Sequence, residues 1–138
     1  YLDLLPILVF QLWFLWLYLH RVASWSPAST TAAVAIFLLA AIVARQFPEL
    51  LNSSLMSAPA LLVLWMLGVY HAGTGKREPF ALLVAGGVFT LSLLFRTIDE
   101  AVCPSIPFGT HLLWHVLNAV VLYLAFRGLM ANRRMVSR

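Results

Sequence analysis

Two histidines one helical turn apart are the residues best placed to do chemistry in this chain. They stand in Gly109-Thr110-His111-Leu112-Leu113-Trp114-His115, which runs on to Asn118. Side chains four apart on a helix share a face. At about 100° per residue, His111, His115 and Asn118 fall within an arc of roughly 60°. Imidazoles at this spacing bind one metal ion in zinc proteases, so His111 and His115 are candidate metal ligands. Interfacial or helix-packing histidines would leave the same pattern. An ionisable group inside a membrane span, however, is costly and needs a partner, which favours ligation. Asp3, in Leu2-Asp3-Leu4-Leu5-Pro6, is the candidate catalytic carboxylate. Its plain reading is an acid favoured by the positive end of a helix dipole, with Pro6 in the first turn.

The elements that must position these groups are membrane helices. Of the 138 residues, 62% are hydrophobic and 10% charged, and the mean hydropathy is +0.92. A water-soluble domain covers itself with roughly 25% charged residues, so most sides of this chain must face lipid. Five apolar runs predict an all-α, polytopic transmembrane bundle in a single domain, 1–138, with helices near 2–20, 28–45, 55–71, 79–96 and 109–127. Flanking residues bring each run to the ~20 residues that span a bilayer. The breaks carry turn chemistry: Ser24-Trp25-Ser26-Pro27, Phe47-Pro48-Glu49, Gly73-Thr74-Gly75-Lys76 and Cys103-Pro104-Ser105-Ile106-Pro107. No two-residue alternation suggests strands. Short connections make neighbouring helices antiparallel, which places Asp3 at the same membrane depth as His111 and His115.

Charge then orients the bundle. One side of the membrane receives Arg45 and Arg96, the other Arg21, Lys76, Arg77, Arg127, Arg133, Arg134 and Arg138. Two against seven predicts a cytoplasmic carboxyl tail and an outer loop from Arg96 to Pro107. The net charge of +4 sits at the ends of apolar runs, so it marks topology and not a nucleic-acid stripe. His20 and His71 fall on the cytoplasmic side, His71 in a loop, and read as ordinary interfacial residues. Gln11 reads as an interhelical hydrogen-bonding group. Trp13, Trp16, Trp65 and Trp114 read as lipid-facing or packing residues. Ala81, Ala85, Gly86 and Gly87 should let helix four approach a neighbour closely. Two histidines on one helix cannot ligate opposite faces of a haem, and Gly73-Thr74-Gly75-Lys76 has no strand before it to make a phosphate loop.

Arg96-Thr97-Ile98-Asp99, Cys103 and the Gly109–Ala119 stretch together resemble the ending of the alkaline ceramidase family, especially its bacterial members. The opening, Asp3-Leu4-Leu5-Pro6-Ile7 with Phe10-Gln11, resembles the start of that family's third helix. The resemblance implies that this chain is a carboxyl-terminal part, helices three to seven, of a seven-helix bundle in the bacterial inner membrane. It implies a zinc cofactor held by three histidines, two of them matching His111 and His115. It also implies a carboxylate at Asp3 that moves protons, and a ceramide-like lipid amide as substrate. The family's serine and third histidine belong to a segment this sequence does not contain, so the chain alone is expected to be inactive. A related seven-helix receptor or haemolysin-type protein with a structural zinc would keep the same histidines and carboxylate.

Overall fold

The computed structural model describes residues 4–47, 49, 53–102 and 110–132. Within them the chain folds as helices α1 (Leu4–Leu17), α2 (Pro27–Ala44), α3 (Ala58–Gly73), α4 (Ala81–Val102) and α5 (His111–Ala131). A wide π-turn, Tyr18–Val22, prolongs α1, and a tight 3-10 turn, Ser54–Ser57, leads into α3. Five helical segments are long and apolar enough to cross a bilayer, so the chain is a multi-pass membrane bundle. Consecutive helices pack side by side, and α1 also meets α5. The result is a ring of five helices around a central space.

Local chemistry explains where the helices stop. After the π-turn the chain reverses through Ser24, whose φ of 61° is left-handed. His20 Nδ1 donates to the Trp25 carbonyl at 3.1 Å and ties this corner down. Ser26 then caps α2, accepting from the Ser29 amide at 3.2 Å, with Pro27 as its first residue. The turn after α3 uses Gly75 at φ 61°, and Thr74 Oγ1 donates to the Tyr70 carbonyl at 2.7 Å. Both turns fall at breaks expected from sequence.

Burial is concentrated on α4. Leu82, Ala85, Phe89, Ser92 and Leu93 are all buried, at three- and four-residue spacing along one face. By contrast, α2 buries only Thr30 and Phe37 and turns Ile36, Leu39, Ile42 and Val43 outward, as a helix bathed in lipid does. Small residues set the close contacts, as expected for helix four. The Trp65 ring lies against Gly86, and the Trp65 indole N–H donates to Thr90 Oγ1 at 3.2 Å. Gly128 of α5 faces Ala81 and Leu82.

The tightest approach is at Gly68, where an added Cβ would sit 3.0 Å from the Leu83 backbone nitrogen. Backbone cannot yield as a side chain can, so Gly68→Ala should push α3 off α4 and cost about 1–3 kcal/mol. Gly87 has open space at the same position. Gly87→Ala should therefore be neutral or stabilising by about 0.5–1 kcal/mol, the helical preference for alanine. Thermal unfolding of the two variants in detergent checks the contrast.

Two helix boundaries differ from expectation. Helix α4 runs through Val102, so Arg96-Thr97-Ile98-Asp99 is helical and not part of a loop. Hydropathy falls at these residues, but their polar groups are used within the fold. Thr97 Oγ1 lies 2.8 Å from the Leu93 carbonyl and 2.9 Å from Ser54 Oγ. His71 belongs to α3, not to a loop, and is fully buried.

Candidate functional site

His111 opens α5, and this first turn is held in place from α4. The Asp99 carboxylate accepts from the Thr110 amide at 2.5 Å and lies 2.9 Å from Thr110 Oγ1. Thr110 Oγ1 is also 2.7 Å from the Phe95 carbonyl. An aspartate from the preceding helix thus does the work of a capping residue, satisfying an amide that the helix start leaves open. A turn and a half further on, Ser92 Oγ sits 3.2 Å from the Trp114 carbonyl and 3.1 Å from Asn118 Oδ1. These contacts fix both the height and the rotation of α5 against α4.

Of the residues expected to share one arc, Asn118 faces the bundle interior, in a stripe with Trp114, Val121 and Ala125, and Trp114 is only 7% exposed. His115, about 100° round the helix from Trp114, is exposed. The physical reason is a competition between neighbours. An indole buries some 150–250 Å² of largely apolar surface, whereas a buried imidazole needs hydrogen-bond partners for its nitrogens. The His115 ring packs on the flank of Trp114, ring centroids 4.4 Å apart. Asp3 and the His111 side chain lie outside the described residues. Among the described residues no three His, Cys, Asp or Glu side chains come together in a way that could hold a metal. His111 and His115 occupy positions one turn apart on one unbroken helix, and two imidazoles there would supply half of a four-coordinate set.

Inside the ring lies a cavity of about 120 Å³. Its lower wall is apolar, built from Phe14, Leu15, Phe37, Val121 and Ala125. Its upper end is polar, with Gln11, Ser57, Arg96 and Asn118 beside Trp114. The Arg96 guanidinium lies over the Trp114 ring, 4.6 Å from its centroid, which holds a cation at the cavity wall. Gln11, expected to bond between helices, is thus a lining residue of this cavity. A larger space of about 480 Å³ lies between α1, α2 and α3. It is a groove on the lipid side with almost wholly apolar walls. Size therefore does not identify the site; convergent polar groups do, and they are in the smaller, central cavity.

A second polar centre at the opposite end of the bundle was missed from sequence. Tyr18 and His71 are both 0% exposed, and the Tyr18 hydroxyl lies 2.6 Å from His71 Nδ1. His71 Nε2 is 3.1 Å from the Arg77 carbonyl, which can only accept. The proton is therefore on Nε2, and Tyr18 donates to Nδ1. Asn132, at the end of α5, accepts from the Arg77 amide at 2.7 Å and donates back to its carbonyl at 2.8 Å. One network thus joins α1, α3, the α3–α4 turn and α5. The clue available in sequence was a histidine in the last turn of a helix at the depth of a tyrosine on another.

Neither a protein-family model, nor a curated protein, nor a solved structure matches the chain.

Proposed function

We propose that this chain carries the cavity and two of the metal ligands of a zinc-dependent membrane hydrolase acting on a lipid amide of ceramide type. One observation carries the proposal. The turn bearing His111 and His115 is anchored by Asp99 and Thr110 directly beside Trp114 and Asn118, which line a cavity with one polar and one apolar end. A metal pair needs such a fixed turn, because ligand geometry tolerates little play. An acyl chain needs the apolar end.

In this proposal His111 and His115 would hold a zinc ion. The resemblance to alkaline ceramidases implies a third histidine ligand in addition to these two. Zinc bound there would supply Lewis-acid polarisation of an acyl carbonyl and acidify a water molecule. Asp3 takes the proton of the attacking water and returns it to the departing amine, a role a carboxylate at the same membrane depth can fill. Asn118 and Gln11 orient the polar part of the substrate, and Phe14, Phe37 and Val121 enclose its chain. The balance of loop charges supports an outer position for this end of the bundle and a cytoplasmic carboxyl tail.

The test is hydrolysis of an N-acyl sphingoid lipid by the full-length protein in mixed micelles. Release of fatty acid should cease with a zinc chelator and return when zinc is restored. Turnover that survives chelation, or no turnover in zinc-loaded protein, would refute the proposal.

A further inference from the structure

The groove of about 480 Å³ between α1, α2 and α3 has two unlike ends. Leu15, Phe37 and Val63 line both this groove and the central cavity, and so form the wall between them. On its other side the groove opens to lipid between Ile36 of α2 and Met66 of α3, which are 69% and 70% exposed. Along α3 it runs from Pro59 to Tyr70. That is a helical rise of about 16 Å, close to half of a ~30 Å hydrocarbon core. The end at Ala40 and Pro59 is apolar, whereas the other end carries Trp25 and Tyr70, both partly exposed. These two rings stand on fixed backbone. The Trp25 carbonyl accepts from His20, and Tyr70 adjoins His71, which Tyr18 ties to α1. Amphipathic rings of this kind sit at the headgroup level of a bilayer.

Charge at the ring-bearing end is unbalanced. Arg21 lies in the π-turn before Trp25, and Lys76 and Arg77 lie in the turn after Tyr70, so basic residues flank the groove's polar mouth on both connections. Arg21 and Arg77 are exposed. Glu78, the acid of the second connection, is committed to Arg127 at 2.7 Å. We infer that the groove seats one acyl chain of an anionic phospholipid from the leaflet at this end, with the phosphate held at Trp25, Tyr70 and the flanking basic residues. The tail is selected by apolar walls that run the depth of one leaflet. The head is selected by an indole N–H that can only donate, a phenol hydroxyl, and cations with affinity for anionic headgroups. The volume falls within the ~300–1,000 Å³ of ligand sites, and the open side lets the second chain stay in the bilayer. The groove is lined from α1, α2, α3 and the α1–α2 turn alone, so the inference rests on neither zinc nor hydrolysis.

Native mass spectrometry of the full-length protein in a neutral detergent, with a zinc chelator present, measures the binding of single lipids. Dipalmitoyl phosphatidylglycerol should bind at least about fivefold tighter than dipalmitoyl phosphatidylcholine, the worth of one basic residue near a membrane surface. Arg21→Gln, Lys76→Gln and Arg77→Gln together should remove that preference and leave phosphatidylcholine nearly unchanged. Ala40→Phe, at an exposed position on the apolar end, should weaken the dipalmitoyl lipid. It should spare dioctanoyl phosphatidylglycerol, whose short tails do not reach that end. Equal binding of the two heads, or an equal loss for both in the triple variant, would overturn the anionic head. Ala40→Phe without effect on the dipalmitoyl lipid would overturn the groove and leave only lipid on the bundle's outer surface. Failure of the full-length protein to bind either lipid, as when another part of the chain fills the groove, would overturn the inference as a whole.

Discussion

Replacing His71 by alanine should destabilise the folded bundle by about 2–4 kcal/mol, the largest effect expected of any substitution away from the His111–His115 turn. Two terms add. A fully buried ring is removed, and its contacts in a close-packed interior are not recovered. The Tyr18 hydroxyl, also fully buried, then loses its acceptor at 2.6 Å. Tyr18→Phe removes only the hydrogen bond and should cost about 1–2 kcal/mol, since such bonds between membrane helices are individually modest. The double variant Tyr18→Phe with His71→Leu should cost less than the two single changes summed, because no buried polar atom is left without its partner. Unfolding in detergent followed by circular dichroism gives all three values. A loss within 0.5 kcal/mol for His71→Ala, the scale of an unimportant surface change, would show that the network does not hold α1 to α3.

The second large effect concerns turnover. His111→Ala and His115→Ala in the full-length protein should each remove bound zinc and lipid-amide hydrolysis together. A metal left with too few protein ligands loses affinity steeply. Asp3→Asn should separate the two readouts. An amide of the same shape leaves the histidines in place, so most of the zinc should remain, while loss of a proton-transfer group should lower the rate by about 10²–10⁴-fold. Zinc content and initial rates on the same preparations decide the matter. Asp3→Asn with an undiminished rate would remove the carboxylate from the chemistry. Asp99→Asn is a useful companion, because Asp99 reaches the histidine turn through Thr110. It should weaken zinc binding through looser placement and should not by itself change the pH profile of hydrolysis.

The fold was largely legible in the sequence. Continuous apolar runs without alternation leave only membrane helices, and Ser26-Pro27 and Gly75 mark turns whose backbone the structure shows. The small residues of α4 also announced close packing, seen where Trp65 lies against Gly86. What could not be read was pairwise. The end of α4 was hidden because Arg96 and Asp99 lower hydropathy, while the carboxylate that continues the structure is used by a residue on the next helix, Thr110. His71 looked interfacial because the hydroxyl that buries it comes from Tyr18, 53 positions earlier.

The site was legible as a turn, less so as a face. Helical spacing correctly puts His111 and His115 on adjoining turns of one helix. It cannot say which arc of α5 turns inward, because that depends on Ser92 and Asn118 meeting across the α4–α5 seam. Trp114 then takes the inner position and His115 the flank. The cavity's polar end was visible only as scattered polar residues, Gln11, Ser57, Arg96 and Asn118, on four different parts of the chain. Their convergence is a property of the ring and not of any segment.

Zinc-edge X-ray absorption on the full-length protein, compared with His115→Ala, tests whether His111 and His115 hold zinc. About one zinc per chain is expected, with nitrogen ligands at about 2.0–2.1 Å and the outer-shell pattern of imidazole. His115→Ala should remove the metal or shift that spectrum toward oxygen ligands. Absence of zinc from the intact protein, or an imidazole spectrum that His115→Ala leaves unchanged, would contradict that role.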